Sequence, residues 1–157
     1  MHFEMNPLSI SIVILIWAGF VAFGVYGFRL KLRQSREAKE WFANLQATKM
    51  LKSEGFQEVS DNVISGKYLG HSVGCYYIEY KGNVDFYTYL EIDEQWKKIY
   101  KFKEYMEFRK RYKTEEVSAD ESKSICQQLK SNPDLKNINR SFDRLIEIAK
   151  AEGLMKK

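Results

Sequence analysis

Lys97, Lys98, Lys101, Lys103, Arg109, Lys110, Arg111 and Lys113 are interleaved with Trp96, Tyr100, Phe102, Tyr105, Phe108 and Tyr112. Cations grip phosphates and aromatic rings stack on bases, so such a run can bind an anionic ligand, either lipid head groups or nucleic acid. The simpler account is an amphipathic helix over residues 95–113 whose rings enter a core and whose lysines are solvated. In that account Lys103 pairs with Glu107, and Glu107 with Arg111. A second candidate is the tyrosine set Tyr76, Tyr80, Tyr87 and Tyr89, which alternation places on one face of adjacent strands as an aromatic platform. Cross-strand packing or a covering helix explains the same tyrosines without any ligand.

Catalytic chemistry is sparse by comparison. The only histidines are His2 and His71, and the chain has no HExxH, CxxC, Walker, GxSxG or GxGxxG pattern. No metal set, catalytic residue or cofactor is therefore expected, and an enzyme has no positive support. Asp85, Glu91, Asp93 and Glu94 gather near one strand end, where carboxylates can hold a hard cation. Alternation sends Asp85, Glu91 and Asp93 to a solvent face, which makes ordinary surface charge the simpler reading. Cys75 and Cys126 are far apart and show no metal or redox spacing, as suits two reduced, small core residues in a reducing compartment. Were the domain outside the cell, the two could form one disulfide.

The elements that must position these residues begin with a membrane-type helix. Residues 8–28 carry no charge, follow Pro7 and are succeeded by Arg29, Lys31, Arg33 and Arg36. About twenty helical residues cross a hydrocarbon core of roughly 30 Å, and a helix satisfies its own backbone polar groups there. A cleavable signal peptide fits poorly, since no Lys or Arg precedes the run and bulky basic residues follow it. A buried core helix is the remaining alternative. Lysine and arginine are retained on the cytoplasmic side, so residues 1–7 are expected outside the cell membrane and residues 29–157 in the cytoplasm. Residues 29–39 form a basic juxtamembrane segment suited to anionic lipid. Ala18 and Ala22, four apart beside Gly19, would permit close helix packing and a helix-mediated oligomer.

Residues 40–157 are enough for one small domain. Ala38, Trp41, Phe42, Leu45, Thr48 and Leu51 recur at helical spacing over residues 37–54, with Gly55 as the stop, and this helix is expected to continue from the membrane helix. The period then falls to two over residues 63–69, 73–80 and 84–92, with turns at 69–72 and 81–83. An antiparallel meander of three strands follows, or four if residues 56–60 join it. After helix 95–113, with Ile99, Phe102, Tyr105, Met106 and Tyr112 available to the core, Ser118-Ala119-Asp120-Glu121 reads as a capping box starting a helix to about Lys130. Asn132-Pro133-Asp134 starts a last helix carrying Leu135, Ile138, Phe142, Leu145 and Ala149. Strands grouped together rather than alternating with helices predict an α+β fold.

Charge is segregated along the chain. Residues 40–95 hold nine acidic and four basic side chains, whereas residues 96–113 hold eight basic and two acidic. The whole points to a single-pass, membrane-anchored, noncatalytic interaction or regulatory module that recruits or modulates a protein partner at the cytoplasmic membrane face. The alternative is a membrane-tethered binder of anionic ligand through residues 95–113, and tethering favours anionic lipid over nucleic acid.

Overall fold

The computed structural model describes residues 7–92, 99, 101–120, 123–130 and 132–155. The chain divides into two units, Met1–Glu37 and Ala38–Lys157. Helix α1 (Pro7–Asn44) starts in the first and ends in the second. Among its described side chains in the first unit the apolar ones are exposed: Leu15 is 72 % exposed, Phe20 71 % and Phe23 78 %. A core helix hides at least one stripe, and none of this helix's apolar window is buried. By length and composition α1 is long and apolar enough to cross a membrane.

The second unit is α+β, and among its described residues it holds six strands where the sequence pattern predicts three or four. They are β1 (Gln57–Ser60), β2 (Val63–Tyr68), β3 (His71–Tyr80), β4 (Asn83–Glu91), β5 (Val117–Asp120) and β6 (Ser124–Leu129). All neighbours are antiparallel, in the order β1-β2-β3-β4-β6-β5. The β2–β3 and β3–β4 turns are the residue pairs Leu69-Gly70 and Lys81-Gly82, all four at positive φ. That backbone matches the twist of the strands and fixes both registers.

The expected helix over residues 118–130 is instead the β5–β6 hairpin. Its capping-box letters recur outside helices, and Ile125, Cys126 and Leu129 suit either period. Pairing decides: Ile125 lies opposite Leu90, and Leu129 opposite Phe86, so β6 completes the core side of β4. Consecutive burial at Ser124, Ile125 and Cys126 erases the alternation that would have marked a strand.

Beyond Asn44 the expected single helix breaks at Leu45, whose extended ψ of 127° separates α1 from α2 (Gln46–Ser53). Gly55, at φ +95°, ends α2 as the sequence predicts. Helix α3 (Phe102–Arg111) is followed by a single 3₁₀ turn, Lys113–Glu115, and α4 (Leu135–Ala151) closes the domain. Asp134, rather than Asn132, caps α4 by accepting from the Asn137 backbone N–H at 2.7 Å.

One core fills the space between the sheet and these helices. Helix α4 packs on β4, β6 and α2, burying Ile138, Phe142, Leu145 and Ile148. Phe42 and Trp41, from the last turns of α1, meet Tyr77 and Phe86 of β3 and β4. The phase of α3 differs from expectation. Ile99 is buried, Tyr105 and Tyr112 are partly buried and Phe108 is fully buried, but Phe102 is 78 % exposed and Met106 45 %. The Phe108–Tyr112 pair, with ring centroids 4.9 Å apart, is what α3 turns inward.

Candidate functional site

Sheet register sorts the side chains into two faces. Cys75, Tyr77, Phe86, Thr88, Leu90 and Ile125 look toward the core, while Tyr76, Tyr87, Tyr89 and Cys126 share the opposite face. Tyr76 lies directly across from Tyr87, their rings stacked 5.0 Å apart at 8°, and Tyr89 leans on Tyr76 at 6.0 Å. Gly74 makes room for this group. A Cβ there would come within 2.5 Å of the Tyr89 ring and would strike the Ile64 carbonyl. Aromatic side chains covering a strand glycine are a recognised device of sheet packing.

Three of the four predicted tyrosines therefore come together, partly buried. Tyr80 does not join them; it stands at the β3–β4 turn, 65 % exposed, with Lys81 Nζ 5.1 Å from its ring centroid. Burial, aided by the Asp85 carboxylate, pushes the Tyr87 phenol up from its ordinary range, and burial does the same for Tyr89. Both phenols thus stay neutral at physiological pH and keep a hydroxyl able to donate and accept. The buried helix side chains belong to the core cluster on the other face. Ile78, on the tyrosine face, is 47 % exposed.

The basic helix resolves differently from its sequence reading. Lys97 and Lys98 lie outside the described residues. Lys101, Arg109 and Lys110 are exposed around α3. Arg111 is engaged within the domain, pairing with Glu152 at 2.8 Å, while the Tyr112 hydroxyl donates to the other Glu152 oxygen at 2.8 Å. These bonds fasten α3 to the end of α4, with the Arg111 side chain still half exposed. The partner expected for it, Glu107, is not the one it takes.

Among the described residues, no three His, Cys, Asp or Glu side chains converge as metal ligands. Asp93 and Glu94 lie outside that set. His71 is paired across the β2–β3 turn with Tyr68. Cys75 and Cys126 are buried free thiols, and burial alone raises the Cys75 thiol well above its usual range.

A polar chain that sequence reasoning missed runs through the core. Ser141 of α4 bonds to Thr88 Oγ1 of β4 and donates to Gln127 Oε1 of β6, each at 2.5 Å, and Gln127 Nε2 donates to the Glu115 carbonyl at 3.0 Å. No periodicity announces it, because Thr88 and Ser141 occupy positions where an apolar residue would fit the same stripe. A fully paired hydroxyl without a neighbouring base is structural rather than nucleophilic. An open cleft of about 880 Å³ lies between α2 and the start of α4, lined in part by Leu45, Met50, Pro133, Asn139 and Arg140. Among the described residues, Asn139 Oδ1 has no hydrogen-bond partner.

Comparison of the chain with protein-family models, with curated proteins and with solved structures gave no match.

Proposed function

We propose that this chain is a single-pass membrane protein whose α+β domain acts in the cytoplasm as a noncatalytic interaction or regulatory module, recruiting or modulating a protein partner at the membrane. The observation that carries the reading is the sidedness of the sheet. Its helices bury one face, while the other presents Tyr76, Tyr87 and Tyr89 as a stacked group beside exposed Ile78. Tyrosine combines broad apolar area with a polar tip at low entropic cost, a combination enriched at protein interfaces.

Anchoring is supported by the uncovered apolar helix, and orientation by Arg29, Lys31, Arg33, Arg36 and Lys39 after the span with no Lys or Arg before it. Crosslinking in native membranes, extraction in mild detergent and identification of what copurifies should yield a defined protein. Tyr76→Ala with Tyr87→Ala should lose that protein while the far-ultraviolet circular dichroism and cooperative thermal unfolding of the domain persist. Retention of the partner by this variant would defeat the assignment of the face. A reporter fused after Lys157 should be active only on the cytoplasmic side.

A second reading, binding of an anionic ligand through α3, is supported by Phe102 and Met106 standing exposed among Lys101, Lys103, Arg109 and Lys110. Such binding should fall steeply with salt and with Lys101→Ala plus Arg109→Ala, whereas docking on the tyrosine face should respond to neither.

A further inference from the structure

Helix α3 has an outer face that the core does not use. At 3.6 residues per turn Phe102 and Met106 stand one above the other, and Arg109 and Lys110 continue that face through the next turn. Phe108, on the opposite side, is fully buried, and Tyr112 is held by Glu152. Lys101 and Lys103, next to Phe102 in sequence, are exposed as well. Arg111 pairs with Glu152. The result is a short apolar ridge beside four exposed cations, Lys101, Lys103, Arg109 and Lys110, with Glu107 exposed and Glu104 partly buried.

Phe102 and Met106 together carry apolar area whose removal from water would favour contact with a partner surface. Single-stranded nucleic acid would use the cations and one ring, but it offers no apolar medium for Met106. An anionic bilayer surface satisfies both halves at once, since phosphates attract the lysines and arginines while the head-group boundary accepts the apolar side chains. We propose that α3 is an interfacial helix that inserts Phe102 and Met106 into the head-group region of an anionic bilayer, with Lys101, Lys103, Arg109 and Lys110 holding the lipid phosphates. The proposal rests on the anchored reading above, because a tether keeps the bilayer at high effective concentration and lets a short helix of modest affinity stay bound.

The test uses the full chain in nanodiscs of phosphatidylcholine alone, or of phosphatidylcholine mixed with phosphatidylglycerol. Met106→Cys is labelled with an environment-sensitive nitrobenzoxadiazole dye, the native thiols being buried. The dye emission should move to shorter wavelength in the mixed discs only, and return in high salt. It should also return when Lys101→Gln, Lys103→Gln, Arg109→Gln and Lys110→Gln are combined, but persist with Lys136→Gln and Lys150→Gln, which lie on α4. Equal emission in the two lipids, or a shift that survives the four substitutions, would overturn the proposal. So would a shift that appears in neutral discs only on adding polyuridylate, which would reassign the face to nucleic acid. A chain that does not copurify with discs at all defeats the anchored reading itself, before any emission is read.

Discussion

Ser141 shows how much a single buried hydroxyl decides in this domain. It is 3 % exposed and joins β4, β6 and α4 through Thr88 and Gln127. Ser141→Ala leaves the Thr88 hydroxyl with only a 3.4 Å bond to the Gln127 carbonyl. It should cost about 1–3 kcal/mol, read as a lower thermal midpoint of the full chain in mild detergent. Thr88→Val added to it should cost less than the sum of the two single changes, because an apolar pair leaves fewer orphaned groups. Gly74 makes the opposite demand, for space rather than for a bond. Gly74→Ala should lose about 1–3 kcal/mol through the displaced Tyr89 ring and the strained β2–β3 pairing. Neither residue was legible in advance: a serine on a helix stripe and a glycine in a strand look like weak positions until the partner strand is known. The tyrosines were more readable, because Tyr87 and Tyr89 fix their own face by alternation and Tyr76 joins them through register.

At the scale of elements, local pattern and tertiary pairing divide the credit. The β2–β3 and β3–β4 hairpins announce themselves through Leu69-Gly70 and Lys81-Gly82, and α4 through its apolar stripe. The β5–β6 hairpin does not, since its identity depends on the open side of β4, which is distant in sequence. For α3 the helical period was readable and the buried phase was not, because Phe102, Tyr105, Phe108 and Tyr112 form one broad aromatic arc and only tertiary packing decides which part of it is covered. A pH-sensitive tie joins the 3₁₀ turn to α4. Arg144 grips Glu115 through two nitrogens, at 2.6 and 2.9 Å, and holds its carboxyl below the usual carboxylate range. A carboxyl depressed in the folded state adds stability that is fully present above its unfolded value and is lost as pH falls through its folded one. Thermal stability should therefore drop on acidification below the ordinary glutamate range, and Glu115→Gln should flatten part of that drop. Both groups are about a third or more exposed, so the change should stay below about 1 kcal/mol.

For the whole molecule, the two faces of the sheet have consequences beyond binding. Cys75 faces the core and Cys126 the opposite side, with β4 between their strands. Two strand spacings of roughly 4.8 Å already exceed the span of about 7 Å that a disulfide tolerates. The single disulfide that the sequence alone left open is therefore geometrically excluded in the folded domain. Alkylating reagents should leave both thiols unmodified in the native protein and modify both after denaturation, and oxidants should not produce an intramolecular bridge. Mass spectrometry of the alkylated chain reads both outcomes.

The strand order also sets a schedule for synthesis. During translation β1 to β4 emerge in sequence and can zip as local hairpins, but the free side of β4 waits for β6, which is made only after α3 has passed. Until then Phe86, Thr88 and Leu90 belong to an unpaired ribbon edge, the kind of nascent surface that recruits a neighbouring chain. A polypeptide halted before Ser124 should consequently cluster on polysomes or require a chaperone, whereas one extended through Leu129 and α4 should not.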